Sequence, residues 1–155
     1  MMKSFKFLLA FIAVGALLTY SGCSKPSGPG QTPEDAQLAK LSKTWKCTAA
    51  TLNNTSQAGY INNFILTIAG TAGQTTFGFT TTGRAASAPL LPWQSNGNLK
   101  YGTDFATGLI RVEDNLPITY SVTDTQLQMT FNYTGAGIPA RVGNVAGTWI
   151  FTFGL

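Results

Sequence analysis

The chain has 155 residues, with ten Lys/Arg, six Asp/Glu and no histidine, and a formal net charge of +4. The lack of histidine excludes Ser-His and Cys-His catalytic pairs and most zinc sites. Residues 23–155 carry eight Lys/Arg and six Asp/Glu. That near-neutral balance argues against a nucleic-acid partner, which usually meets a basic stripe.

The first 22 residues have the pattern of a secretory signal peptide. Met1 to Lys6 is positively charged and has no acid, and Phe7 to Leu18 is an uncharged, almost wholly apolar run. This run is shorter than the roughly 18–20 apolar residues of a membrane-spanning helix, but its length suits a signal peptide. We therefore exclude residues 1–22 from the fold prediction.

Tyr20-Ser21-Gly22-Cys23 resembles the lipobox of bacterial lipoproteins. In that family the cysteine sulfur receives a diacylglyceryl group and becomes the first residue after cleavage. Ser21 and Gly22 fit the pattern, whereas Tyr20 stands where an aliphatic residue is usual. The resemblance implies lipid attachment at Cys23. The alternative is ordinary cleavage near Ser21, which would leave a Cys23–Cys47 disulfide possible.

Residues 23–31 are rich in Ser, Pro and Gly and predict a flexible tether between the anchor and the folded domain. Ser24, in place of Asp, follows the cysteine, which by analogy with other lipoproteins favours the outer membrane. The stretch lacks the acidic residues that surface-exported relatives carry. We therefore expect a lipid-anchored envelope protein of the outer membrane that faces the periplasm.

One short helix is predicted over residues 32–43. Thr32 can cap it, Pro33 suits its first position, and Glu34 and Asp35 favour the positive end of its dipole. Thr32-x-x-Asp35 resembles a capping box. Leu38 and Leu41 lie on one face, three residues apart.

The rest of the chain, up to residue 155, is predicted to be a single all-β domain together with that helix, over residues 32–155. Apolar and polar residues alternate in Gln126 to Tyr133, as in an antiparallel sheet with one wet face. Asn96-Gly97 is a turn signal. Eight strands are predicted, at residues 44–52, 61–69, 74–82, 98–102, 108–113, 117–123, 126–133 and 145–153. This spacing predicts an antiparallel barrel, with a sandwich as the alternative.

The segments LSKTWKCT, PITYSVTDTQLQMTF and VAGTWIFTF, in this order after a lipobox and tether, resemble the lipocalin-like lipoproteins of Bacteroidota. Lys43 stands where classical lipocalins have the glycine of Gly-x-Trp. The resemblance implies a lipocalin-like β-barrel and an envelope address. Most members of that family have no assigned activity.

The residues predict no catalytic site, and the protein is expected not to be an enzyme. Glu113 and Asp114 are chain neighbours, so on a strand they would face opposite ways, and they fit a turn better. Asp104 and Asp124 also lie beside turn-like residues. Cys47 fits a small, half-buried apolar side chain in the first strand. No metal or cofactor is predicted.

Aromatic side chains on one face of the strands are the remaining signal. They would either pack as a core or bind a small apolar or amphipathic ligand inside the barrel, which can be filled by side chains or hold one small molecule. The candidate ligand-binding residues are Trp45, Phe64, Phe77, Phe79, Tyr120, Phe131, Tyr133, Trp149 and Phe151.

A proline-containing loop, Ala85 to Trp93, has two interpretations. It either plugs one end of the barrel or presents Leu90, Leu91 and Trp93 as an apolar patch. The leading functional hypothesis is a membrane-anchored, non-catalytic binding module. The alternative is a structural or adapter subunit that docks through this patch onto an envelope protein.

The lipobox hypothesis is tested by Cys23→Ser in the full chain. Because the sulfur is the site of acylation, this change is expected to release the protein from the membrane fraction and to abolish labelling by a radioactive fatty acid. Cys47→Ser, which removes the other cysteine, is the control and should keep both the membrane attachment and the fatty-acid label. Membrane retention of Cys23→Ser together with no label in the unaltered protein would contradict the prediction.

Overall fold

The computed structural model describes residues 30–83, 92–134 and 145–155. Gln31–Leu155 forms one compact unit. The predicted signal peptide, Cys23 and most of the tether lie outside the described residues, as do Leu90 and Leu91. Within the described ranges, no helix combines the length and apolar character needed to cross a bilayer.

Helix α1 spans Pro33–Leu41, and its first turn explains where it begins. The Asp35 backbone N–H donates to Thr32 Oγ1 at 3.1 Å, and the Thr32 backbone N–H donates to the Asp35 carboxylate at 3.4 Å. This capping box satisfies two donors that have no partner within the helix. The predicted helix is confirmed, with Thr32 as its cap and Ser42 as its end.

The remaining elements of the described chain are strands, together with a 3₁₀ turn at Ala58–Tyr60. All eight predicted strands are present, and one short strand is added. Their bounds are β1 Thr44–Leu52, β2 Thr55–Ser56, β3 Ile65–Ala69, β4 Thr76–Thr82, β5 Asn96–Tyr101, β6 Gly108–Arg111, β7 Leu116–Val122, β8 Gln126–Tyr133 and β9 Gly147–Gly154.

Eight strands close into an antiparallel barrel. From β3 to β9 each strand pairs with the next one along the chain, β1 pairs with β3, and β9 returns to pair with β1. The closing ladder runs from Lys46 opposite Gly154 to Leu52 opposite Trp149. The extra strand β2 pairs with the end of β1. The prediction of a barrel is confirmed, and the sandwich alternative is wrong.

Alternation along each strand separates a core from a wet outer face. In β8, Leu127, Met129, Phe131 and Tyr133 are buried, while Gln126, Gln128 and Asn132 are exposed. A bulge interrupts the alternation in β1, where the register against β9 shifts between Cys47 and Ala49. The added residue restores an inward direction to Ala50, which is buried.

Two details differ from the sequence prediction. Residues 61–63 form a turn, with Asn62 in the left-handed region at φ 64°, so β3 begins at Ile65. Asn96-Gly97 belongs to β5 and is not a turn. The reason is the glycine itself: a Cβ at Gly97 would lie 2.7 Å from the Phe79 ring, so the missing side chain makes room for that ring inside the barrel.

The barrel has two ends, which we name by their connections. The helix end carries α1 and the connections 42–43, 70–75, 102–107 and 123–125. The loop end carries the connections 53–64, 83–95, 112–115 and 134–146, of which 84–91 and 135–144 lie outside the described residues.

Helix α1 is tied to the connections of the helix end. Gln37 Nε2 donates to the carbonyl of Ala106 at 3.2 Å and to the Tyr120 hydroxyl at 3.1 Å. The backbone N–H of Gly73 donates to the Asp35 carboxylate at 2.6 Å.

The buried Leu38 and Leu41 of helix α1 face the barrel, and the indole N–H of Trp45 donates to the carbonyl of Leu41 at 2.9 Å. The helix therefore closes this end.

Two tyrosines strengthen that closure as hydrogen-bond donors. The hydroxyl of Tyr101 donates to the carbonyl of Glu34 at 3.0 Å, and that of Tyr120 donates to the carbonyl of Phe105. Burial is the main cause that raises the pKa of both hydroxyls, so they keep their protons.

Gly70 lies where helix α1 packs closely against the barrel. A Cβ at this position would lie 2.8 Å from Leu38 Cδ1 and 2.9 Å from the Cβ of Phe77, which the strand holds in place. Gly70→Ala is therefore expected to lower the free energy of unfolding by about 1–3 kcal/mol, as other overpacked sites do. Urea unfolding measures the change. Gly30→Ala, with no atom within 4 Å of the new Cβ, is the neutral control, and equal stability of the two variants would contradict the prediction.

Candidate functional site: the loop end of the barrel interior

Trp93 lies inside the barrel near the loop end, although it comes from the connection between β4 and β5. Its side chain is only 1% exposed. Its ring centroid lies 5.5 Å from that of Phe79 on β4 and 5.6 Å from that of Phe131 on β8. Because β4 and β8 are on opposite walls of the barrel, the indole bridges the interior.

Two further rings complete the surroundings of Trp93. Phe64 lies 6.4 Å from it and Phe151 lies 6.3 Å from it, measured between ring centroids. The interplanar angles with Phe79, Phe131 and Phe151 are 78°, 89° and 77°. Such edge-to-face contacts are the favoured geometry of aromatic pairs. The four rings, Phe64, Phe79, Phe131 and Phe151, form what we call the aromatic slot.

Arg111 places a buried cation beside the aromatic slot. It is the last residue of β6 and faces inward with Leu109, and the whole residue is 1% exposed. Its Cζ lies 5.7 Å from the centroid of the Trp93 ring, a cation–π contact. Asp114 pairs with it: Arg111 Nε donates to Oδ1 at 2.9 Å and Nη2 donates to Oδ2.

A third bond of Arg111 holds the segment that carries Trp93. Its Nη1 donates to the backbone carbonyl of Pro92. A guanidinium has five N–H groups, so described acceptors engage three of them. Pro92, the residue before Trp93, is thus held against β6 by a buried, charged hydrogen bond.

The indole N–H of Trp93 finds no acceptor among the residues that the structure describes. Leaving a buried donor unpaired costs about 1–3 kcal/mol, and buried polar groups in native proteins are usually paired. The two other indoles are paired: Trp45 donates to Leu41 and Trp149 donates to the carbonyl of Val145 at 2.9 Å. The position of Trp93 therefore leaves the hydrogen-bonding capacity of its indole N–H unused among the described residues.

Among the described residues of this end, two carboxylates accompany the guanidinium of Arg111. Burial raises the pKa of Asp114, but the hydrogen bond and charge of Arg111 outweigh burial, so the pKa lies below its usual value. Glu113 adds a second carboxylate, whose Oε1 accepts from the backbone N–H of Asn98 at 2.6 Å. Both acids lie in the 112–115 turn, as predicted.

The nine aromatic residues that the sequence singled out are all buried, and they divide between the two ends. Phe64, Phe79, Phe131 and Phe151 contact Trp93, and Trp149 stacks on Phe151. Trp45 and Tyr120 contact the helix end, and Phe77 packs on Tyr101 at 5.4 Å. Tyr133 pairs with Gly147 at the start of β9. Ligand binding by any of them stays a prediction.

The proposed apolar patch needs a correction. Trp93 was a candidate for an exposed surface, and this is wrong because its ring fills the space between opposite walls of the barrel. Leu90 and Leu91 lie outside the described residues. The large apolar side chains exposed in the described chain are Val112 and Leu155.

Arg111 and its pairing with Asp114 were not predicted from the sequence. The signal was the alternation of Leu109 and Arg111, which places both on the inner face of β6.

Cys47 is fully buried, and burial raises the pKa of its thiol to about 11. The expectation that it packs as a small apolar side chain agrees with this position, and it is more buried than expected.

No protein-family model matches this chain, and no curated protein or solved structure matches it either. The fold defines the class, a closed eight-stranded antiparallel β-barrel with one helix in the described chain. The resemblance to lipocalin-like lipoproteins stays a prediction.

Asp114→Asn tests the charge pair. Because Arg111 is buried, loss of its charged partner is expected to lower the free energy of unfolding at pH 7 by about 1–3 kcal/mol. The pKa of Asp114 is depressed on folding, so its contribution is present above the unfolded value of about 4 and is lost as the pH falls through the folded value. The gap between variant and unaltered protein should therefore narrow below about pH 4.

Chemical unfolding between pH 3 and pH 8 measures this gap. Asp124→Asn is the matched control, because it makes the same charge change at an exposed position of the helix end. A gap for Asp114→Asn that is absent at pH 7, or that stays constant down to pH 3, would contradict the assignment.

Proposed function

We propose that the protein is a non-catalytic binding module that holds a small apolar or amphipathic molecule in the barrel at its loop end. The observation that carries the proposal is the seating of Trp93. A ring from outside the strands occupies the aromatic slot, where it meets four rings by edge-to-face or tilted contacts. A slot of this kind takes a flat apolar group, and the helix end offers no equivalent place because α1 closes it.

Entry of a ligand into the aromatic slot requires that a side chain leaves, because Trp93 occupies the slot. Phe79, Phe131 and Phe151 belong to strands and Phe64 directly precedes β3, whereas Trp93 lies outside the strands. Trp93 is therefore the ring that gives way. The barrel walls would move little, and the gain from burying the ligand would offset the loss of the Trp93 contacts.

The proposal places this module in the envelope, anchored through a lipid on Cys23, at the outer membrane and facing the periplasm. Its support is the order of signal peptide, lipobox and tether in residues 1–31. The adapter alternative has lost the exposed Trp93 on which its patch depended, so it is kept only as an outcome of the experiment.

Native mass spectrometry of the full chain, released from the envelope of its own host, tests the proposal. The expected spectrum shows the chain with the added mass of a small molecule that gentle activation removes. A partner protein in fixed stoichiometry would favour the adapter function and contradict the proposal, as would a chain without any added mass.

Two phenylalanines of β4 provide a matched pair for the same measurement. Phe79→Leu removes a ring of the aromatic slot and should reduce the ligand-bound fraction at least threefold. Phe77→Leu makes the same change two residues away, at the helix end, with the same 2% exposure, and should leave the bound fraction unchanged. Equal losses in both variants would show that the ligand does not use the slot.

A further inference from the structure

Pro92 and Trp93 together have the chemistry of a bound ligand. Pro92 presents a carbonyl oxygen to a buried guanidinium N–H. Trp93 presents a flat bicyclic ring to the aromatic slot. Neither residue belongs to a strand, so no ladder of the barrel depends on either of them. The rest of the site, Arg111 and the four rings, is borne by strands or by the residue that precedes β3.

We propose that Pro92 and Trp93 are an internal stand-in for the ligand, and that the ligand is a flat aromatic molecule bearing an uncharged carbonyl group. On binding, the ligand carbonyl replaces that of Pro92 on Arg111 Nη1 and the ligand ring replaces the indole. This inference rests on the proposed binding function and specifies both the ligand class and the segment that controls access.

The neutral acceptor on Arg111 and its pairing with Asp114 favour an uncharged head group on the ligand. The acceptor now on Arg111 Nη1 is a neutral peptide carbonyl, and Asp114 already neutralises the guanidinium. Glu113 adds a carboxylate at the same end of the barrel. Among the described residues, a ligand carboxylate would therefore meet two negative charges and one cation that is already paired.

The unpaired indole N–H explains why the stand-in can leave. Inside the slot this donor has no acceptor among the described residues, whereas in water it is hydrogen-bonded. Displacement of Trp93 into water thus gives the indole N–H a hydrogen-bond partner that it does not find among the described residues of the slot. A ligand without such a donor fills the slot at no comparable loss.

The test uses the full chain labelled with 5-fluorotryptophan and three probes with an indole-sized ring. They are 2-acetylnaphthalene, which carries an uncharged carbonyl, 2-naphthoate, which carries a charge, and 2-ethylnaphthalene, which has no oxygen. The chain has three tryptophans, and the fluorine resonance of Trp93 is assigned by its loss in Trp93→Phe. Trp45, sealed at the helix end, is the internal control.

The expected result is that 2-acetylnaphthalene moves the Trp93 resonance and gives it the water-to-deuterium-oxide isotope shift of an exposed ring. The Trp45 resonance stays in place. The dissociation constant of the ketone should be at least tenfold lower than those of the other two probes. In Arg111→Met, which keeps an apolar stem without the guanidinium, the ketone should lose this tenfold advantage over the hydrocarbon.

The outcomes separate this inference from the proposed function. If the ketone binds but the Trp93 resonance does not move, or if Arg111→Met keeps the preference, the stand-in is wrong and the binding module stands. If 2-naphthoate binds best, the ligand class is wrong. If no probe binds either the unaltered chain or Trp93→Ala, in which the ring is gone, both proposals fail. If the Trp93→Ala variant does not fold, Trp93→Leu is used in its place.

Discussion

The packing around Phe151 is the interaction on which the rest of the structure depends. Its ring lies within 5.3–6.3 Å, between centroids, of six others, which are Tyr60, Phe64, Trp93, Phe131, Trp149 and Phe153. Phe151 belongs to β9, the strand that pairs with β1 to close the barrel. Closure of the sheet and assembly of the core are therefore the same event, since neither the ladder nor the ring cluster is complete without this strand.

Much of the fold follows from a period of two in the sequence. Residues such as Leu127, Met129 and Phe131 alternate with polar ones, and a sheet with one dry face is the structure that such alternation stabilises. The start of the helix was equally predictable from the sequence, because the side chains of Thr32 and Asp35 themselves form the capping box. These features are local, and local chemistry decides them.

The features that the sequence did not predict depend on distant residues. The bulge after Cys47 exists only against the register of β9. Asn96-Gly97 lies in a strand because the Phe79 ring needs the space that a glycine leaves. Nothing in the neighbourhood of either position reveals the partner, so a local turn signal was given too much weight.

The candidate site was predictable in composition but not in arrangement. Alternation identified the inward rings, whereas their division between a sealed end and a loop end depends on where the helix docks. Trp93 was read as either a plug or a surface residue because proline-rich loops have no period. Arg111 was overlooked because a charge is not expected on a dry face, and its partner Asp114 was interpreted only as a turn residue.

The ladder between β1 and β9 has a consequence for how the chain folds. Thr48 and Thr152, which bond across it at 3.1 Å, are 104 residues apart, while the other barrel ladders from β3 to β9 join strands that follow one another in the chain. The meander can grow one hairpin at a time at small entropic cost, but the final seam must bring together segments separated by nearly the whole domain. Until that seam forms, β1 and β9 expose unpaired edges that can recruit another chain. The slowest step of folding and the period of greatest risk of aggregation therefore coincide at this single seam.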